Sequence, residues 1–402
     1  MHKKPVIGVV FGSRSTEHDV SIITALASII RPLEASKKYQ VVPVYIAKNG
    51  HWYCDEQLKD INLYTSGAID EWVKKHEPVS LSFRGGLNLV RHGKGLGARS
   101  QTVKLDVVFP GLHGTHGEDG ELMGVLEMAG VPYVGCGVAA SAVAMDKVLT
   151  KLVAHASGVS VTPFVHFTKS EFEADEAHWI TQVNRKLHYP LFVKPAHLGS
   201  SIGITRVTDP KDLYNAIEIA LHYDDKALVE EGVQNLIEVT LPIMGNSDGN
   251  DPLRPALLEQ PMMKGEDFFD FETKYLHGGK KGGKGGSGSK KGGVKGAQGY
   301  STLPAVLPNG LYDKAEAVGL AVYRALGCTG TARVDMLINT KTKTIYCNEV
   351  NPLPGDLYRH NWQRAGVSPV DLVVGLVDLA LERHEKRTKL ETAFATNFLK
   401  QF

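Results

Sequence analysis

Short apolar runs alternate with helical periodicities along the first third of the chain. Residues 6–11 (VIGVVF) form an unbroken apolar run that enters Gly12-Ser13, and residues 40–46 and 105–110 (LDVVFP) behave alike. Runs of this length, closed by turn residues, predict buried strands. After the first run a 3.6-residue period places Val20, Ile23, Ala27 and Ile30 on one helical face. A second helix is predicted over 121–129, and a short strand over 131–134. Strand–helix alternation predicts a parallel sheet with crossover helices. Ligands of such sheets collect beyond the C-terminal strand ends, where Gly12-Ser13 and residues 112–120 (LHGTHGEDG) fall.

Residues 139–157 predict one helix that contains Met145-Asp146-Lys147. A buried strand follows at 190–195 (PLFVKP), then a loop at 196–203 (AHLGSSIG), a helix at 210–222 and a strand at 227–231 (ALVEE). From Glu238 the pattern turns strand-rich, with EVTLPIM at 238–244 and RPALLEQ at 254–260. Beyond a helix at 314–326, ARVDMLIN (332–339) and TIYCNEVN (344–351) predict paired strands joined by a turn at 341–343. Residues 370–389 form one amphipathic helix. No internal repeat is present. The pattern divides the chain into units at 1–137, 138–231 and 232–402.

Composition refines this picture. The 402 residues are 43% hydrophobic and 22% charged, a globular composition for about two to three domains. No run approaches the ~20 apolar residues that span a bilayer. The basic-then-apolar N-terminus ends in charged residues without a small-residue cleavage site, so it reads as a first strand and not a signal peptide. Cys54, Cys136, Cys328 and Cys347 lie far apart with no metal-like spacing. They predict reduced thiols and a cytoplasmic location.

The oddest stretch is HGGKKGGKGGSGSKKGGVKGAQG, residues 277–299. Residues 278–296 hold ten glycines and six lysines, while the whole chain nets +1. The rest of the chain therefore nets −5, that is +1 less the six lysines. Such a block cannot build a packed element and is expected to be disordered. Nucleic-acid binding through it is a distant alternative. No aromatic residue interleaves the lysines until Tyr300, and the remainder is acidic.

Chemistry concentrates in three places. Arg333 and Asp335 are two apart on one strand, and Glu349 and Asn351 two apart on its partner. A period of two puts each pair on one face. Three hard oxygen ligands there suit Mg²⁺, while a solvated polar face gives the same alternation. Lys194 followed by the glycine–serine loop offers a cation and free amides to a phosphate, or is an ordinary loop. In residues 13–21 (SRSTEHDVS), Ser15 or Thr16 caps the following helix, or Glu17 in its crevice holds a cationic group such as an ammonium. His113 and His116 sit in a glycine-rich loop rather than in H-E-x-x-H on a helix, which argues against zinc.

The ordered set GSRSTEHDVS, FPGLHGTHGEDGELMGVLEMAGVPYVG, SAVAMDK, YPLFVKPAHLGSSIGI, FETKY, ARVDMLI and NEVNPLPG resembles the D-alanine–D-alanine ligase family of the ATP-grasp superfamily, over residues 6 to about 366. The resemblance implies a Rossmann-like parallel α/β domain followed by a two-subdomain α+β ATP-grasp fold. It implies an ATP-dependent ligase that joins two D-alanines through a D-alanyl phosphate for peptidoglycan precursors. Two Mg²⁺ or Mn²⁺ ions would be held by Asp335, Glu349 and Asn351. Lys147, Lys194 and the lid residue Lys274 would contact the nucleotide phosphates, under the loop of Ser200 and Ser201. Glu230 or Glu231 would flank adenine, in a hinge one residue longer than usual, and Glu238 would take the ribose. Glu17 would hold the first D-alanine's ammonium and join Ser200 and Tyr275 in a hydrogen-bonded group. Arg333 and the Gly355 amide would steady the oxyanion, and His113 would contact substrate. Partners would be small molecules, with neither nucleic acid nor membrane, and the family is commonly dimeric.

Two departures stand out. The family often reads N-T-x-P-G-M-T-x-x-S after the metal strand, and its serine holds the acceptor's carboxylate. Here NPLPGDLYRHNW places His360 at the serine and Asp356 where a neutral residue is usual, which leaves Tyr358, Arg359 or His360 to make that contact. Lys274-Tyr275 and Pro304-Ala305 are also 29 positions apart (304 − 275), so the Lys/Gly block lies in the lid. A D-alanine–D-lactate or D-alanine–D-serine ligase is the nearest alternative. Lys274-Tyr275 favours the dipeptide.

Overall fold

The computed structural model describes residues 3–93, 99–199, 201–249, 251–261, 301–308, 310–392 and 398–401. Ser200, Lys274, Tyr275 and the 278–296 block lie outside the described residues.

Val6–Gly12 is the central strand of the first sheet, and all seven of its residues are buried. It pairs in parallel with Gln40–Ile46 and Val107–Pro110. A strand covered on both faces needs no polar alternation, which is why the apolar run identified it. Residues 131–134 add only a parallel bridge between Val108 and Tyr133. Pro132 there has no N–H to extend a ladder.

The helix after the first strand runs from His18–Ile23 through a π-wound Thr24–Ile30 into Arg31–Ser36. Its buried stripe is not the expected one: Ile23 is 56% exposed, and Ile22, Ala25, Leu26, Ile29 and Leu33 face the core. SIITALASII is apolar on every side, so several stripes fit the period, and the wider π turn rotates the outcome. The antiparallel strands Ser80–Ser82, Asn88–Arg91 and Gln101–Lys104 were not foreseen. They are too short to show a period.

Two antiparallel sheets follow. One orders Thr205–Val207, Leu191–Pro195, Lys226–Glu231 and Phe164–Thr168. The other orders Arg254–Pro255, Leu236–Met244, Thr331–Asn339 and Thr344–Asn351. The expected 254–260 strand is interrupted: after Arg254–Pro255 it bridges the sheet again at Thr240–Glu259, and Gln260–Pro261 then pairs with Ser301–Thr302. The expected 139–157 helix is two helices, Val138–Met145 and Lys147–Ala156. Apolar periodicity runs through the break, but Asp146 leaves helical geometry and caps the second helix, accepting from the Val148 and Leu149 amides at 2.8 and 3.1 Å. A parallel α/β unit followed by two antiparallel α+β units is the expected fold class.

The cores do not follow chain order. Leu353, Leu357, Trp362, Leu372 and Leu376 pack with Ile7, Phe11, Ile29 and Leu33 of the first unit. Ala140, Ala144 and Ala154 pack with Val334 and Val350 of the last. The segment after Thr344–Asn351 is thus built into the first unit's core. Arg383 of the C-terminal helix Pro369–Thr388 staples this joint. It is buried, donates to the carbonyls of Gly135 and Tyr133 and to the Thr329 hydroxyl, and lies 4.3 Å over the Tyr133 ring. Arg383→Met should lower stability by roughly 3 kcal/mol, since charged hydrogen bonds are lost and carbonyls left unpaired. Urea unfolding reads it, and an unmoved midpoint would contradict the staple.

Candidate active site

The hairpin of Thr331–Asn339 and Thr344–Asn351 delivers the shared face expected of it. Arg333 pairs directly with Asn351, and Asp335 with Glu349. The register then shifts, so that Met336 opposes Cys347 and Asn348 is the extra residue. This bulge lets Glu349 and Asn351 face the site while Cys347, two positions before Glu349, turns into the core. It also aims the Asn348 amide oxygen at Lys194 Nζ, 3.5 Å away. Arg333 forks onto Asp335 at 2.7 and 2.5 Å, and Asn351 Nδ2 donates to the same carboxylate at 3.1 Å. Two carboxylates and an amide on one face, beside a cationic lysine, are a hard-oxygen donor set that fits a divalent cation shared with phosphate.

Lys194 reaches this face from the second sheet. Its ammonium is held by Glu230, whose other oxygen takes Lys151 Nζ at 2.7 Å and the Thr162 hydroxyl. Burial opposes the charge on Glu230, but the two lysines more than offset it and hold the carboxyl well below the usual range. Burial likewise works against the Lys194 charge, and Glu230 outweighs it, raising that pKa. Lys151 was not foreseen. Its only signal is an i,i+4 spacing from Lys147, which shares its helix face. Lys147 donates through Nζ to the Leu198 carbonyl, in the loop that leads to Ser201. Glu231 turns the other way and binds His188 through its amide and ring at 2.9 and 2.8 Å. Glu238 stands opposite Leu337 on the neighbouring strand, near enough for its charge to act on Lys194.

At the end of the first strand Gly12 has φ +96°, and any Cβ there would strike the Ile46 carbonyl. Only glycine lets the chain turn out here. Ser15 does not cap the following helix; nor does Thr16, since the N-cap position is Glu17 and no side chain caps it. Ser15's hydroxyl instead donates to the His113 carbonyl at 2.7 Å and accepts the Glu17 amide at 3.1 Å. The Glu17 side chain is buried between two glycine loops. A Cβ on Gly114 would sit 2.9 Å from its Oε2, and one on Gly199 3.6 Å away. His113 is buried with Nε2 2.9 Å from the Thr24 hydroxyl, and burial pushes its pKa down. His116 bonds to Glu121, while His113 bonds to Thr24, so the two histidines do not share a partner. Glu118, also unforeseen, accepts from the Gly114 amide at 2.8 Å and the Leu353 amide at 3.3 Å. Burial first, and the Glu17 charge second, push it up to about 8.

Gly355 opens a turn in which Asp356, Leu357 and Tyr358 have φ of 54, 51 and 48°. Each such non-glycine residue costs on the order of 1–3 kcal/mol unless its surroundings over-determine it. They do. Leu357 and Tyr358 are buried, and the Asp356 amide donates to Thr24 Oγ1 at 3.0 Å. The Asp356 carboxylate takes the Ser28 hydroxyl and, at 3.0 Å, Arg359 Nε. The unexpected aspartate therefore anchors the loop to the first unit and occupies Arg359. Tyr358 lies under the Arg333 guanidinium, 4.8 Å from ring centre to Cζ. His360 Nε2 meets the fully buried Glu259 at 3.0 Å. Among the described residues, the buried side-chain atoms without a partner are Thr240 Oγ1, Glu259 Oε1, Asn361 Oδ1 and Trp362 Nε1. Thr240 and Glu259 are bridge partners, whereas Asn361 and Trp362 are fully buried in the helix Arg359–Arg364.

Two family models match, described as D-ala D-ala ligase N-terminus over residues 6–136 and D-ala D-ala ligase C-terminus over 153–285 and 289–378. The D-alanine–D-alanine ligase of Chloroherpeton thalassium is 35% identical over 96% of this chain and 99% of its own. That of Thermosipho melanesiensis is 35% identical over 98% of each. Among solved structures, the VanG D-Ala:D-Ser ligase of Enterococcus faecalis matches with TM-score 0.75 and 30% identity over 94% of this chain and all of its own. The D-alanine–D-alanine ligase of Coxiella burnetii matches with TM-score 0.74 and 27% identity over 96% of each.

Lys151→Met should destabilise the protein by about 3–5 kcal/mol, because it leaves a buried carboxylate half-compensated. Calorimetric melting reads the loss. A melting point within about 1 °C of the parent's would contradict the shared-carboxylate arrangement.

Proposed function

The chain belongs to the D-alanine–D-alanine ligase family and is an ATP-dependent ligase that joins two D-alanines, and we propose that it does so with the residues gathered around the Thr331–Asn351 hairpin. The observation that carries this assignment is the quartet Arg333, Asp335, Glu349 and Asn351 on one face, with Lys194 beside it. The family uses ATP and a divalent metal. Asp335, Glu349 and Asn351 would hold two Mg²⁺ or Mn²⁺ ions, which offset charge on the transferring phosphoryl group.

Lys147, Lys194 and the Ser201 loop bind the phosphates. Glu238 takes the ribose, and the strand end at Glu230 or Glu231 flanks adenine, the Glu230 side chain being committed to the two lysines and that of Glu231 to His188. Glu17 holds the first D-alanine's ammonium and leaves its carboxylate to attack the γ-phosphorus. ADP departs, and an acyl phosphate forms. The second D-alanine's amine attacks the acyl carbon, Arg333 and the Gly355 amide steady the oxyanion, and phosphate leaves. Tyr358 and His360 contact the acceptor, with His360 held by the buried Glu259. Free cysteines among the described residues fit a cytoplasmic enzyme of peptidoglycan precursor synthesis. The His360–Glu259 pair also favours asking whether D-serine or D-lactate serves as acceptor.

Glu349→Gln should abolish turnover with an unchanged melting curve, because it removes a ligand charge and no core packing. Retained phosphate release from ATP with D-alanine would sink the metal assignment. In the parent enzyme D-alanine should stimulate phosphate release more than D-lactate or D-serine across pH 6–9. Greater stimulation by either of those would change the acceptor assignment.

A further inference from the structure

The loop that follows Lys194 is gripped at its root by charged groups that take no part in the chemistry above. His197 lies between two buried carboxylates. Its Nδ1 is 2.9 Å from Asp224 Oδ1, and its Nε2 is 3.3 Å from Asp146 Oδ2. Asp224 also accepts the His197 backbone N–H through Oδ2 at 2.7 Å, so one carboxylate fixes both the backbone and the ring. Asp146 is the N-cap of Lys147–Ala156 and pairs with Lys226 at 2.6 Å. The exposed Asp225 approaches Nδ1 at 4.0 Å. Around them the Ala196 amide donates to the Lys226 carbonyl and the Lys147 amide to the Ala196 carbonyl, both at 3.0 Å. Lys147 Nζ donates to the Leu198 carbonyl.

Both ring nitrogens face carboxylate oxygens, so both are donors and the ring is cationic. That disposes of a metal reading for His197, Asp224 and Asp225, whose atoms cluster closely enough for one, because the imidazolium has no lone pair to give. The ring is 40% exposed, and no core packing rests on it.

We propose that the His197 imidazolium is the positioning residue of the phosphate loop, tying the loop's root to the N-cap of the helix that carries Lys147. Lys147, Lys194 and the loop are thereby presented to the nucleotide as one rigid edge. The proposal rests on the assignment of these lysines to the ATP phosphates. Without the cation, Asp146 and Asp224 face each other with Lys226 as the remaining counter-charge. The two carboxylates raise the His197 pKa from 6.5 to about 9. A raised pKa means that the clamp is complete below pH 6.5 and is lost as pH rises through about 9.

The test is the Kd of Mg-ATP by titration calorimetry without D-alanine, together with kcat and the KM for ATP, from pH 6.5 to 10. The proteins are the parent, His197→Ala, Asp224→Asn and His197→Lys. His197→Ala and Asp224→Asn should each weaken ATP about ten- to thirtyfold at pH 7, the scale of a charge-assisted contact, with kcat changed less than about threefold. His197→Lys keeps a cation and should recover part of the loss. The parent's Kd should climb toward that of His197→Ala near pH 9, while the variant's stays flat. A Kd within twofold of the parent at pH 7, or an alkaline rise that survives in His197→Ala, would overturn the proposal. A parent that binds no ATP would instead overturn the nucleotide assignment beneath it.

Discussion

One buried carboxylate holds two lysines together beside the hairpin face. Glu230 stands in the second sheet with Lys194 beside it on the adjacent strand, and Lys151 reaches it from a helix whose other face packs on the third sheet. Lys194 could not stay charged and buried without that partner, and Glu230 could not stay ionised without both lysines. The arrangement fixes the Lys194 ammonium against the hairpin bulge at Asn348. The position of the Lys194 ammonium relative to the hairpin therefore depends on where this carboxylate sits.

The second constraint is the loop after Thr344–Asn351. Asp356, Leu357 and Tyr358 hold left-handed backbone geometry because buried side chains and the Thr24 and Ser28 hydroxyls of the first unit leave them no relaxed alternative. This loop is thus set by the first unit, while Tyr358 carries its position to Arg333 on the hairpin face. The replacement of the family's usual serine by His360 brings a buried acid with it. An isolated histidine would be free to rotate, whereas one bonded to Glu259 has a fixed ring.

Much of this was legible in the sequence wherever a single period ruled. The shared face of Arg333, Asp335, Glu349 and Asn351 follows from a period of two on two adjacent strands, and the first sheet from apolar runs buried on both sides. What stayed hidden depends on partners far along the chain. The bulge at Asn348 leaves no mark on the alternation before Met336. Asp146 hides inside an apolar helical period, although an aspartate before a helix is a capping signal. Lys151 and Glu118 look like ordinary charges until the fold buries them against Glu230 and Leu353. The burial stripe of the first helix was misjudged because its sequence is apolar all round, and only packing chooses among equivalent faces.

The central claim is that the first D-alanine's carboxylate is activated by direct phosphorylation before the amine attacks. Its most direct test is the fate of carboxyl oxygen. With D-alanine labelled by ¹⁸O in both carboxyl oxygens, attack on the γ-phosphorus makes one labelled oxygen the bridge of the acyl phosphate. Displacement by the acceptor then releases phosphate that carries that oxygen. Mass spectrometry of the released phosphate should show one ¹⁸O per dipeptide formed. Unlabelled phosphate, with dipeptide still accumulating, would contradict the account.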